Sequence, residues 1–235
     1  TGSDGKWSDL FIEHDIHIRP FRPMNCGFEV PWSDHFKSKI DRSHLKNIAA
    51  RFEQKVIRGE LMLTPYGLEG TPVYSLSREM RDQILEKGEA TIFLDLKPDL
   101  SEEDIKNRLE QKRTKDSVSN ILRKKLKLDT TAITLLKECT SQEEFSNHLA
   151  KKMKNLPLRL HSPRPLEESI STSGGVAMDE INESFALKKL PHHYAIGEML
   201  DWDTITGGYL LQMCFSQAYR VYKSISHENS MTRNT

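Results

Sequence analysis

The residues most open to ligand chemistry lie in "AIGEMLDWDTITGGYLLQMCFSQAY" (residues 195–219): Gly197, Glu198, Asp201, Gly207 and Gly208. A helix is expected to begin at 208. The first N–H groups of a helix have no intrahelical partner, and its aligned peptide dipoles place about half a positive charge there. Glycines at such a point let a ligand approach the backbone. Gly207 and Gly208, running into Tyr209 and Leu210, therefore suit an anionic or electron-rich group. Glu198 and Asp201 repel that group and suit hydroxyls, to which they offer acceptors. A flavin nucleotide has both ends, an electron-rich ring edge and a ribityl chain. By spacing alone, a tight turn beside solvated acids accounts for the same residues, and both readings stand at this point.

The elements that must position these residues alternate between extended and helical. Residues 6–13 read as a short helix with Trp7, Leu10 and Phe11 on one face. Residues 17–30 read as extended chain, because Pro20 and Pro23 push their predecessors toward β geometry. Residues 45–70 read as two strands joined by a turn near Arg58-Gly59, residues 73–88 as a helix stopped by Gly88, and residues 90–98 as an alternating strand. Four helices are expected between 101 and 154, two of them opened by Ser101/Asp104 and Ser141/Glu144, a capping-box pattern. Residues 156–165 return to extended chain. Residues 169–182 read as a strand, a Gly174-Gly175 break and a second short strand. "HHYAIGE" (192–198) reads as a short buried strand. The helix over 208–225 has apolar residues on more than one face, so it is expected to lie buried against a sheet, with a frayed tail after it.

The chain has 235 residues, 37% hydrophobic and 29% charged, which excludes a disordered class and allows one large or two small domains. A net charge of zero and a pI near 7.1 argue against a surface devoted to phosphate. Cys26, Cys139 and Cys214 are odd in number and form no CxxC pair, which points to free thiols in a reducing, cytoplasmic compartment. No apolar run is long enough to span a membrane. The chain begins "TGSDGKW" without Met, and it is expected to be a piece of a longer protein.

Other candidates carry less. Nine basic residues between Lys106 and Lys127 face only Glu110 and Asp116, a pattern open to a nucleic-acid or protein contact. A solvated helix face explains them better, since no aromatics interleave. His192 and His193, adjacent at a strand start, point to opposite faces and make poor joint ligands, and His161 stands apart, so no metal site is expected. Cys214, on an apolar helix, reads as core. Trp202, between Asp201 and Asp203, can stack on a ring or anchor its loop.

"TSGGVAMDEIN" (172–182), followed by "HHYAIGEMLDWDTITGGYLLQMCFSQAY" (192–219), resembles the C-terminal half of the aminoacetone-oxidase-like FAD flavoproteins, often labelled NAD(FAD)-utilising dehydrogenases. "TGSDG", "RPMNCGFEV", "LKNIA", "GELMLTPYGLEG" and "PLRLHSPRPLEESISTSGGV" fit one branch of that family in order, so the resemblance covers nearly the whole chain. It implies an α+β piece of a two-dinucleotide-binding FAD domain that carries a strand-rich, barrel-like insert and a small helical unit. Residues 1–15 would end one FAD-domain segment. Residues 16–100 would form the insert and 101–155 the helical unit. Residues 156–190 would be return strands, 191–226 the C-terminal part of the FAD domain and 227–235 a tail.

The resemblance implies FAD as cofactor. Glu198 and Asp201 would lie near the ribityl and phosphate region, with Gly197 at the strand end. The Gly207-Gly208-Tyr209-Leu210 turn would present N–H groups to the pyrimidine edge of the ring. Gly174, Gly175 and Val176 would pass close to the ring, and Thr1, Gly2 and Ser3 would end another segment near it. The inserts would cover the flavin and shape a small-molecule site. The family's Gly-x-Gly-x-x-Gly loop, which cradles the pyrophosphate, does not occur in this sequence. A dinucleotide-binding segment is thus an expected partner. The expected function is part of an FAD-dependent oxidoreductase that is inactive by itself, with a binding module built on the basic helices as the alternative.

Overall fold

A computed structural model describes residues 4–110 and 117–232, with side chains described through residue 227. The chain runs α1 (Trp7–Ile12), β1 (Ile18–Met24), β2 (Phe28–Glu29), α2 (Asp34–Lys37), β3 (Ser43–Phe52), β4 (Lys55–Thr64), β5 (Gly67–Gly70), α3 (Thr71–Ser75), α4 (Ser77–Lys87) and β6 (Ala90–Asp95). It continues through α5 (Glu102–Glu110), α6 (Val118–Lys125), α7 (Thr130–Glu138), α8 (Gln142–Asn147), α9 (Leu149–Lys154), β7 (Leu156–Leu160), β8 (Ser162–Pro163), β9 (Ser171–Val176) and α10 (Gly208–Thr232). Two compact units result. One spans Gly27–Pro163; the other is built from the chain up to Cys26 and from Arg164 onward.

The Gly27–Pro163 unit is a sheet in the order β7-β6-β3-β4-β5-β2-β8, with every ladder antiparallel. Its two edge strands are consecutive in the chain, separated by His161 alone. The sheet must therefore curl until its edges meet in one bent segment, a barrel-like form in which β7 and β8 are not paired with each other among the described residues. Strand β6 alternates strictly, with Ala90, Ile92 and Leu94 buried, as a strand with one face on a core must. The helical block joins the same unit. The Leu96 N–H bonds to the Met153 carbonyl (2.8 Å), and Lys154 pairs with Asp95 at 2.6 Å. Both expected capping boxes close. Asp104 N–H donates to the Ser101 hydroxyl and Ser101 N–H to the Asp104 carboxylate (3.0 and 3.1 Å). Ser141 and Glu144 repeat the exchange.

In the other unit β1 pairs antiparallel with β9. Ile16, Val176, Ile181, Leu187, Ala195 and Leu200 form its core, with Trp7 and Phe11 of α1 packed against them.

Several expectations need correction. The turn expected at Arg58-Gly59 is a two-residue hairpin at Glu53-Gln54, because Phe52 pairs with Lys55, and Gly59 lies inside β4 opposite Ile48. Leu10 is exposed, so α1 buries only Trp7 and Phe11 of its apolar face. The last helix of the block divides at His148 (φ −126°, ψ 20°) into α8 and α9. Gly174-Gly175 does not break a strand; both residues lie within β9, and a 3-10 turn over Met178–Glu180 follows instead of a strand. "HHYAIGE" forms no strand. Tyr194 makes one bridge to Ala186, and Gly197, at φ +64°, opens a 3-10 turn. Terminal helix α10 continues through Thr232, so residues 227–232 are helical backbone and not a tail. It is not buried against a sheet within its unit: Leu210 and Gln217 are buried, while Leu211, Phe215, Tyr219 and Tyr222 are 56–67% exposed.

Candidate functional site

Strand β9 and the loop before α10 bring most of the expected residues together. The Gly174 and Gly175 backbone needs glycine for the protein's own packing. Both have positive φ, +89° and +122°. A Cβ on Gly174 would lie 2.3 Å from the Pro20 carbonyl oxygen, and one on Gly175 would lie 2.4 Å from that of Met199. Their smallness serves close contact between β9, β1 and the 3-10 turn at Gly197–Met199. Val176 is fully buried in the core; its carbonyl accepts the Asp201 N–H at 2.9 Å. That bond and a parallel bridge from Val176 to Leu200 fix the start of the acidic loop.

The Gly197–Met199 turn rests on α10. Gly197 N–H donates to the buried Gln217 side-chain oxygen at 2.6 Å, and the Trp202 indole donates to the Gly197 carbonyl at 3.1 Å. Trp202 thereby anchors its loop, one of its two expected roles. Glu198, Ser171, Thr172, Trp202, Thr204 and Leu210 line a small cleft. Glu198 is exposed along one side, and its partial burial pushes its carboxyl above the ordinary carboxylate range. The Asp201 carboxylate faces the Arg19 guanidinium at 3.9 Å.

The start of α10 is open. Nothing lies within 4 Å of a Cβ built on Gly207 or Gly208, and Gly207 has φ +121°. Leu211 N–H makes the first intrahelical bond, to the Gly207 carbonyl at 3.1 Å. The N–H groups of Gly208, Tyr209 and Leu210 precede it, and the helix dipole adds its positive end there. Tyr209 is 76% exposed, and Leu210 is buried. This donor set suits an electron-rich ring edge, and the carboxyls at 198 and 201 suit neighbouring hydroxyls. Those features fit the ring and ribityl parts of a flavin. No phosphate-cradling Gly-x-Gly-x-x-Gly is present to hold the rest. Thr1, Gly2 and Ser3 lie outside the described residues.

Asn25 also belongs to this site, although its residue type and position do not by themselves single it out in the sequence. It is fully buried, in the left-handed region at φ +50°. Its amide donates to Ser171 Oγ (2.6 Å) and to the Thr204 carbonyl (2.9 Å), and its Oδ1 accepts the Thr206 N–H (3.2 Å). The available signal was an Asn directly before Cys-Gly, since Asn tolerates left-handed backbone.

The basic block has a local explanation. Arg123, Lys124 and Lys125 occupy the last turn of α6, where the helix dipole favours cations, and Lys106 pairs with Glu102 at 2.9 Å. Lys112, Arg113 and Lys115 lie outside the described residues. Among the described residues no three His, Cys, Asp or Glu side chains are grouped as a metal would need, and no helix is long and apolar enough to cross a membrane. Cys26, Cys139 and Cys214 are free thiols; Cys26 is buried, and burial pushes Cys139 up to about 12.

The chain belongs to the family of the HI0933-like protein barrel and H2TH domain, which matches residues 22–171. That stretch holds the curled sheet and the helical block, and the family is one of flavoproteins. Over 233 residues the chain is 23% identical to a 3-dehydro-bile acid delta(4,6)-reductase of Clostridium scindens, covering 93% of this chain and 57% of that protein. The chain thus spans little more than half the length of this curated relative.

Proposed function

We propose that this chain is part of an FAD-dependent oxidoreductase, where it holds the ring edge and ribityl region of the flavin and shapes the space for a small organic substrate. The open start of α10 carries the reading: two glycines with free space at their Cβ positions, ahead of the first intrahelical bond. The flavin, when bound, supplies two-electron transfer. The helix start stabilises negative charge at the ring edge, because its N–H groups and dipole are fixed beforehand. Glu198 and Asp201 accept hydrogen bonds from hydroxyls. With its carboxyl raised by burial, Glu198 in its neutral form also donates.

The relative's name supports the reductive direction on an organic substrate. The "GELMLTPYGLEG" and "GEMLDWDTITGGYL" runs support the aminoacetone-oxidase-like branch as a finer reading. The pyrophosphate and adenosine need a dinucleotide-binding segment, which we assign as the partner of the exposed face of α10. Three free thiols fit a reducing, cytoplasmic setting.

The test is flavin retention in the protein that carries this chain together with such a segment. Gly208→Asp places a carboxylate on the helix start and is expected to abolish retention. Lys124→Ala with Lys125→Ala is expected to leave it intact. Normal flavin content in Gly208→Asp would overturn the assignment of the helix start.

A further inference from the structure

We infer that Asn25 is a positioning residue that sets the loop from which α10 begins. Its consequence for the flavin rests on the reading above; its structural part rests on geometry alone. A side-chain carboxamide carries the same N–H and C=O pair as a peptide. Asn25 uses that pair on the Ile205 stretch, giving an N–H to the Thr204 carbonyl and accepting the Thr206 N–H. This is how a residue of a parallel strand engages its neighbour. One side chain therefore replaces a missing strand beside residues 204–206. The second amide hydrogen goes to Ser171 Oγ, tying the loop to the start of β9.

The Asn25 backbone is also committed, since its carbonyl accepts the Ile170 N–H at 3.3 Å. The Asn25 side chain is fully buried and its bonds to Thr204 and Thr206 are part-buried, so solvent only partly makes good their loss. Gly207 and Gly208 follow at once and have no side chain to hold them. Leu210 and Gln217 hold the helix on its downstream side, and Asn25 holds the loop on the upstream side.

Asn25→Gly separates the side chain from the backbone, because glycine keeps a positive φ without strain. Asn25→Asp keeps the acceptor for Thr206 and loses the donor to Thr204. Amide hydrogen exchange on this chain, without flavin, is the first readout. In Asn25→Gly, the hydrogen-bonded amides of Thr206 and Leu211 should exchange at least about tenfold faster, because the loop that holds them loses its side-chain bonds. Asn25→Asp should speed the same amides as well, because a buried carboxylate oxygen would face the Thr204 carbonyl, and amides of β3 and β6 should be unchanged. Unchanged exchange at Thr206 and Leu211 in Asn25→Gly would overturn the inference. The second readout is the flavin reduction potential of the loaded protein. It should move to more negative values in Asn25→Gly, because a less firmly held helix start would stabilise negative charge on the ring less well. Faster exchange with an unshifted potential would overturn the functional half. Faster exchange together with normal flavin content in Gly208→Asp would instead remove the flavin reading and leave Asn25 as the loop's anchor.

Discussion

Gly175 and Gly88 both have positive φ, yet they answer to different constraints. A Cβ on Gly175 would strike the Met199 carbonyl, whereas one on Gly88 would meet nothing within 4 Å. Gly88→Ala is expected to cost about 1 kcal/mol, the loss of a left-handed cap. Gly175→Ala adds a backbone collision to the same strain and should cost more than about 3 kcal/mol. Urea denaturation of both variants checks the order. Glu198 makes a pH prediction. Burial raises its folded value, so the stability tied to its neutral form is present below the ordinary carboxylate range and is lost as pH rises through the raised value. Glu198→Gln should remove that fall, seen as a flatter plot of unfolding midpoint against pH from about 4 upward. The Gly-Gly pairs were legible in the sequence, but the partners of Gly174 and Gly175 were not, because those partners are distant backbone. Asn25 was hidden for the same reason: its amide reaches residues 146 and 179 positions away.

Locally determined elements were the easiest to read. Both capping boxes, the Gly88 stop and the alternation of β6 depend on neighbours within a few residues. The β3–β4 hairpin was misplaced because its turn, Glu53-Gln54, has none of the usual Gly, Asn or Asp, while Arg58-Gly59 offers one. Glu53 sits at φ +51°, so Glu53→Asn should raise stability by about 0.5–1 kcal/mol, read from thermal unfolding. The burial of α10 was misjudged because periodicity shows which face is apolar and not what covers it. Leu210, Cys214, Gln217 and Val221 lie toward its own unit; Leu211, Phe215, Tyr219 and Tyr222 recur at helical spacing on a face that stays exposed. Leu210→Ala should therefore destabilise this chain by about 2–3 kcal/mol. Phe215→Ser should change it by less than about 0.5 kcal/mol. The same Phe215→Ser should weaken association with a dinucleotide-binding segment, measured by co-purification.

For the molecule as a whole, two units, a family match over residues 22–171 and a longer relative give the frame for function. In the proposed function, the exposed apolar helix face and its open N-terminus form one side of a flavin site. The most direct test is to purify this chain alone and together with a dinucleotide-binding segment, and to compare bound flavin by visible absorption. Flavin in the combined protein, lost in Gly208→Asp, is the predicted result. A colourless combined protein that takes up no added FAD would contradict the account.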